Sequence, residues 1–594
     1  MKHLLCFVSA LLMACSALAV PAHPGILRYT QPDGSVVLIE LHGDEFVSWA
    51  TLAGTDQVVA RDKEGYWRPA TLSPAALHAG QQRRAEANAE RRNMRPATHT
   101  DNPLTHGEHH IPVFLVQFQD VRFSLSNPAQ KFHDMLNKES YSEYNASGSL
   151  RDYFLDNSHG EYQPVFDVYG PVTLPYDMAW YGEQVQHEDG SVEHDKQPEM
   201  ALFHAAQLLD DSVDFSQYDA DNDGKIDMIL FYYAGYSQAE GASTDAIWPH
   251  QWNFQAGADR TSRNTRFDGV KLAKYFCTAE LRGKEGKTMC GIGVTAHEFS
   301  HSLGLPDFYD ADYETNGICS GMYYFSLMSN GSYLNNSRTP PYFNAIERID
   351  LGWMTGGDLR SFSTGDYVIG SIRDDIAYQI PTSTEGEYFL LECRDAKGWD
   401  AALPAGLMVY HVDRSTSRMV NGKATPQQLW NSHKVNIYGD HPCCYVVPAS
   451  AQDNLNYKGA YAAWLFPGSG HISTYTPIDW NGVESNVCLD QIKVSGEKVS
   501  LYARIEGEYT EFGQIGIPAI ADPGCGNYKT GDSFQLVMTL PVGRTPDSLA
   551  WRFDGTDKTG AKSVTLTAGD HHVTAVVKWP EGETETFDLQ IHVQ

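Results

Sequence analysis

The stretch GVTAHEFSHSLGLPDFYD, residues 293–310, sets His297 and His301 four residues apart, with Glu298 beside the first. In an α-helix a step of four turns through about 400°, so both imidazoles leave one face, one turn apart, and can reach a single metal ion. Glu298 lies about 100° round from His297, beside that ion rather than on it, where it can take a proton from a water. Gly304 can adopt the positive φ that ends a helix and turns the chain back. Asp307 follows three residues later as a third ligand, and three protein ligands leave one coordination position open. Asp310 and Asp312 are carboxylates too, so the third ligand stays open among them.

The five-residue HExxH core occurs by chance in many unrelated helices, and what surrounds it decides its meaning. The lead CGIGVTA, residues 290–296, lets the helix be buried beneath a cleft, and FSLMSNGSY, residues 325–333, puts Met328 in a turn-like context. The full spacing HExxHxxGxxD is the metzincin pattern with Asp for the usual third His, and metzincins place a methionine in a turn under the metal. A closed structural site is disfavoured, since such sites draw on four Cys or His ligands.

Outward from this helix, HIPVFLVQFQD (110–120), QPVFDVYGPVTLP (163–175) and KIDMILFYYAGY (225–236) read as strands. SLRDYFLDNSHGEY (149–162), PEMALFHAAQLLDD (198–211) and NAIERIDLGWM (344–354) read as helices among them, giving mixed α/β order. After that strands dominate: DYVIGSI, EYFLLECR, GLMVYHVD, VCLDQIKVSG and KVSLYARIEG are short and turn-bounded. The tail, from SFQLVMTL to TFDLQIHV, resembles a compact immunoglobulin-like sandwich with Trp551 as a core aromatic. The fold class is multidomain α+β: a metzincin-like zinc-peptidase catalytic domain over 106–358, a β-rich extension over 359–508 and a C-terminal immunoglobulin-like β-sandwich over 509–594.

The first 19 residues, MKHLLCFVSALLMACSALA, have the form of a secretory signal peptide. The competing detail is LMAC, which offers Cys15 as a lipid anchor at the cell surface. No later stretch has the length needed to cross a bilayer. Residues 20–105 read as a β-rich prosegment with an Arg-rich helix and linker, in which Arg83, Arg84, Arg91 and Arg92 offer cleavage points. Within the β-rich part, GDEF at 43–46 is a β-turn. No cysteine lies between Val20 and Arg95, so a cysteine of this segment cannot block the metal.

A net charge of −31 repels phosphate backbones and anionic membranes, which makes nucleic acid an unfavourable partner. Eight cysteines remain beyond the leader. Cys277 and Cys290, flanking a Gly-containing turn, make the best local disulfide pair, while the adjacent Cys443 and Cys444 cannot easily join each other. DADNDGKID places Asp219, Asp221, Asp223, Lys225 and Asp227 at positions one, three, five, seven and nine of a calcium-type loop, with Gly224 at the sharp turn and Leu230 where a full EF-hand has Glu. His411 in VYHVD reads as a strand histidine rather than a ligand.

The chain resembles the immune inhibitor A family of secreted bacterial metallopeptidases. The resemblance rests on residues 148–172, 218–236 and 247–252 (IWPHQW), the opening stretch, SLMSNGSY and PPYFNAIERIDLGWM. It implies zinc on His297, His301 and Asp307, Glu298 as general base and acid, and protein or peptide substrates for a monomer. Tyr309, Tyr323, Tyr324 and Tyr333 are candidate oxyanion donors. The rival reading is a secreted adhesin or glycan-binding protein with a vestigial peptidase domain, disfavoured because a vestige has no chemical need for Glu298.

Overall fold

A computed structural model describes residues 21–44, 46–62, 64–82, 103–186, 192–193, 195–311, 316–505, 519–520, 528–539, 546–580 and 582–594. The signal segment with Cys15, the four arginines of the expected cleavage region, Asp312 and Cys525 lie outside them. The chain divides into two compact units. One comprises Met1–Thr355, Lys397–Ala402 and Val420–Tyr445, and the other Gly356–Ala396, Leu403–Met419 and Val446–Gln594. Where the sequence suggests a break after residue 358, two later segments thus return to the first unit.

The first unit opens with an antiparallel meander, β1 (Ile26–Thr30), β2 (Val36–Gly43), β3 (Ser48–Leu52), β4 (Val58–Arg61) and β5 (Trp67–Pro69). The GDEF stretch is its β2–β3 turn, where Asp44 Oδ1 accepts the Phe46 N–H at 2.9 Å.

Its second sheet has the order β9-β10-β8-β6-β7, from β6 (Gly107–Gln117), β7 (Tyr162–Thr173), β8 (Ile229–Tyr236), β9 (His250–Asn253) and β10 (Lys274–Leu281). Four strands run parallel and β9 pairs antiparallel at the edge. The continuous apolar runs of β6 and β8 follow from this, because a parallel strand is covered on both faces. Helices α1 (Pro128–Asn137), α2 (Leu150–Asn157) and α3 (Glu199–Leu209) join the strands, and α2 starts on a capping box between Ser149 and Asp152. Next come α4 (Gly293–Leu303) and α5 (Ala345–Leu351).

The second unit is β-rich. Ala377–Pro381, Glu387–Arg394 and Gly406–Asp413 pair antiparallel, as do Gly365–Ile369, Lys498–Ile505 and Val487–Ser495. Its C-terminal part carries an antiparallel sheet of Ser548–Phe553, Gly569–Lys578 and Thr584–Val593, with Trp551 and Trp579 buried in its core. His411 stacks between Phe389 and Trp480 and meets Glu387 Oε1 at 2.9 Å, which makes it a satisfied core histidine.

The expected Cys277–Cys290 disulfide is absent. Neither Cys277 nor Cys290 is in a disulfide, whereas Cys488 is disulfide-bonded. Cys277 sits in β10 against His250 Nδ1 at 3.5 Å, so strand packing rather than the turn between the two cysteines directs its sulfur.

Candidate metal centre

Every residue of α4 is buried, which an amphipathic surface helix would not be. Its start passes against the main chain of residues 332–337: a Cβ on Gly293 would stand 2.0 Å from the Ser332 carbonyl oxygen, so only glycine allows the approach. Phe299, two residues from His297 and from His301, faces the other way. It packs among Phe154, Tyr162, Phe166 and Phe276, from α2, β7 and β10. Burying that ring stabilises by about 2–3 kcal/mol and fixes the helix rotation. The imidazoles therefore point away from the sheet.

Gly304 ends the helix at φ 115°, and the chain reverses to bring Asp307 back to the histidines. His297 Nε2 and His301 Nε2 lie 3.1 Å apart, and Asp307 Oδ1 is 3.4 and 3.3 Å from them. All three residues are buried. The other ring nitrogens fix the tautomers: His297 Nδ1 lies 2.8 Å from the Leu327 carbonyl and His301 Nδ1 2.8 Å from the Leu305 carbonyl. A carbonyl only accepts, so each Nδ1 carries a proton, and each Nε2, when its ring is neutral, presents a lone pair. Two imidazole lone pairs and a carboxylate oxygen converging in a buried site are a donor set that fits zinc. Burial pushes the Asp307 carboxyl up, but His301 foremost, with His297, outweighs it and holds the group well below the usual carboxylate range.

Of the competing carboxylates, Asp310 Oδ2 accepts the Cys319 N–H at 3.1 Å, leaving Asp307 in the cluster. Met328 is buried in the turn that supplies the Leu327 carbonyl, and its own carbonyl accepts the Phe308 N–H at 2.7 Å. Asn436, which the sequence reading missed, donates from Nδ2 to the Phe308 carbonyl at 2.9 Å. No local signal marks it, because it lies far along the chain.

Glu298 is fully buried beside the cluster. Burial first, then the Glu240 and Glu298 charges, raise the Tyr333 hydroxyl well above its ordinary range, so it keeps its proton. That hydroxyl donates to the Pro21 carbonyl at 2.7 Å. The same N-terminal segment is held by the His23 N–H on the Ala239 carbonyl at 2.9 Å, by Arg282 Nη2 against His23 Nε2 at 3.1 Å, and by Ala22 packed beside Val294 of α4.

The acidic loop also gathers. Asp219, Asp221 and Asp223 come together, partly exposed, but Asp227 is outside the group and accepts the Ala220 N–H at 2.9 Å. Lys225 Nζ pairs with Asp223 Oδ2 at 2.6 Å.

Residues 119–348 match the family described as immune inhibitor A peptidase M6, catalytic domain. Immune inhibitor A of Bacillus thuringiensis subsp. alesti is 27% identical over 43% of this chain and 41% of its own. Pre-pro-metalloprotease PrtV of Vibrio cholerae is 26% identical over 31% of this chain and 21% of its own. The chain thus spans less than half the length of these curated relatives. The crystal structure of OgpA from Akkermansia muciniphila aligns with 84% of this chain and 94% of that one at 8% identity, with a TM-score of 0.21 that carries no argument. The buried His297, His301 and Asp307, in the HExxHxxGxxD spacing, lie inside the span of this chain that matches the catalytic domain of immune inhibitor A peptidase M6.

Proposed function

We propose that the protein is an exported zinc endopeptidase that hydrolyses protein substrates. The observation that carries this reading is the convergence of His297 Nε2, His301 Nε2 and Asp307 Oδ1 in a buried site. Zinc, when bound, supplies Lewis acidity and an activated water. Glu298, fixed on the same helix, takes the proton of the attacking water and returns it to the departing amine. Tyr333 is the favoured oxyanion donor among the four tyrosines, because its hydroxyl already donates to a peptide carbonyl, that of Pro21.

The N-terminal segment is a latency device in this reading. It keeps Tyr333 engaged until cleavage near the arginine pairs frees it. Calcium on the Asp219 loop is a subsidiary part of the proposal, supported by the meeting of three carboxylates. Among the described residues no helix is long and apolar enough to cross a membrane. An immunoglobulin-like C-terminal domain is supported by the antiparallel sheet around Trp551 and Trp579.

The test is casein hydrolysis by the full chain before and after limited trypsin treatment, with a chelator control and the Glu298→Ala variant. Activity should rise on nicking and vanish with the chelator. In Glu298→Ala it should fall by about 10²–10⁴-fold while zinc stays bound. Undiminished cleavage by Glu298→Ala would sink the mechanism, and undiminished cleavage after chelation would sink the site.

A further inference from the structure

Building on the zinc reading, we infer that Glu347 is a positioning residue for the metal. From the first turn of α5 it fixes the turn that orients His297 and seats the chain beside Asp307.

Glu347 is fully buried, and its two carboxylate oxygens serve different elements. Oε2 accepts the Asn344 N–H at 2.9 Å while Asn344 Oδ1 accepts the Glu347 N–H at 3.0 Å, which completes a capping box for α5. Oε1 reaches away from the helix. It accepts the Ser326 hydroxyl at 2.6 Å and lies 3.4 Å from the Met328 N–H. The Met328 N–H is nearer Ser326 Oγ, at 3.0 Å. With its proton committed to the carboxylate, the Ser326 hydroxyl turns a lone pair towards Met328, so the carboxylate sets the 326–328 turn through a charge-assisted bond.

That turn carries both connections to the metal residues. The Leu327 carbonyl takes the Nδ1 proton of His297 at 2.8 Å, and the Met328 carbonyl takes the N–H of Phe308, next to Asp307, at 2.7 Å. One buried carboxylate is thereby linked, through adjacent peptide units, to two of the three ligands. A helix cap alone uses only one of its oxygens.

The inference is tested on the full chain as wild type, Glu347→Ala, Ser326→Ala and Asn344→Ala. Each is stripped with a chelator and titrated with zinc against a competing chromophoric chelator, with unfolding of the metal-free forms measured alongside. Glu347→Ala should weaken zinc binding by about 10–100-fold, the range found for outer partners of metal ligands, and should alter the visible spectrum of the cobalt-substituted protein. Ser326→Ala should act in the same direction by less. Asn344→Ala should lower the unfolding midpoint while keeping wild-type zinc affinity. Wild-type affinity in both Glu347→Ala and Ser326→Ala would overturn the inference, as would an equal loss in Asn344→Ala, which would reduce Glu347 to a helix cap. If Glu347→Ala fails to fold, Ser326→Ala decides, since it removes one oxygen atom. Failure of the wild type itself to bind zinc would instead overturn the function proposed above, and the inference with it.

Discussion

His297, His301 and Asp307 converge inside a buried helix and the turn after it, whereas Asp219, Asp221 and Asp223 meet on a loop open to solvent. In the first cluster the imidazole Nδ1 protons are given to main-chain carbonyls, and both Nε2 atoms face the Asp307 carboxylate. In the second the carboxylates also accept hydrogen bonds from the loop itself. Asp219 takes the N–H groups of Asp223 and Gly224, Asp221 takes that of Asp223, and Asp223 takes the Lys225 ammonium. A loop closed by its own hydrogen bonds keeps its shape without an ion. A buried carboxylate facing two Nε2 atoms is stabilised by positive charge, whether protons on the imidazoles or a metal ion held by the three groups.

The largest effect expected from this contrast is on His301→Ala. It should lose zinc by more than the about 100-fold set by outer partners and abolish casein hydrolysis, while Asp221→Ala should leave zinc content unchanged by metal analysis. Equal zinc loss in the two would erase the distinction between the clusters.

A pair of isosteric changes sharpens it through pH. Asp307 is held below the ordinary range despite burial, mainly by His301, so its native ionised form stabilises the metal-free protein above that range. This contribution is lost as pH falls through the native value. Burial foremost, with the charges of Asp221 and Asp219, raises Asp227 despite the Ala220 N–H and Lys274, so its ionised form costs stability at neutral pH. That cost disappears as pH falls through its native value. In chelated protein, Asp307→Asn should therefore lower the unfolding midpoint at pH 7, and Asp227→Asn should raise it by a smaller amount. Both differences should shrink on acidification, and shifts of the same sign at pH 7 would contradict the assignment.

The smallest effect concerns Lys225, whose ammonium stands where a calcium ion would compete for Asp223. Lys225→Met should strengthen calcium binding by a few-fold, in line with about 1 kcal/mol or less for an exposed ion pair, as read by calorimetry. No heat of binding in either protein would remove calcium from the proposal and leave zinc untouched.

Much of the centre is legible locally. The four-residue step puts His297 and His301 on one face, and Gly304 ends the helix where the pattern needs it. The strands β6, β7 and β8 lie where the apolar runs place them. Glu347 is a partial case: NAIE has the form of a capping box, but nothing local says that its second oxygen reaches the Met328 turn. The Cys277–Cys290 expectation failed because chain proximity does not direct side chains that leave a strand and a loop in different directions.

By itself, then, the sequence determined the helix, its ligand face, its stop and the chemistry of the donors, because backbone geometry fixes such spacings within a few residues. Only the tertiary structure decided that Asp307 rather than Asp310 joins the histidines, that Asn436 holds the Phe308 carbonyl, and that Tyr333 meets Pro21. Those choices depend on which distant segments pack together, and packing is settled by burial and hydrogen bonding over the whole unit rather than by local spacing.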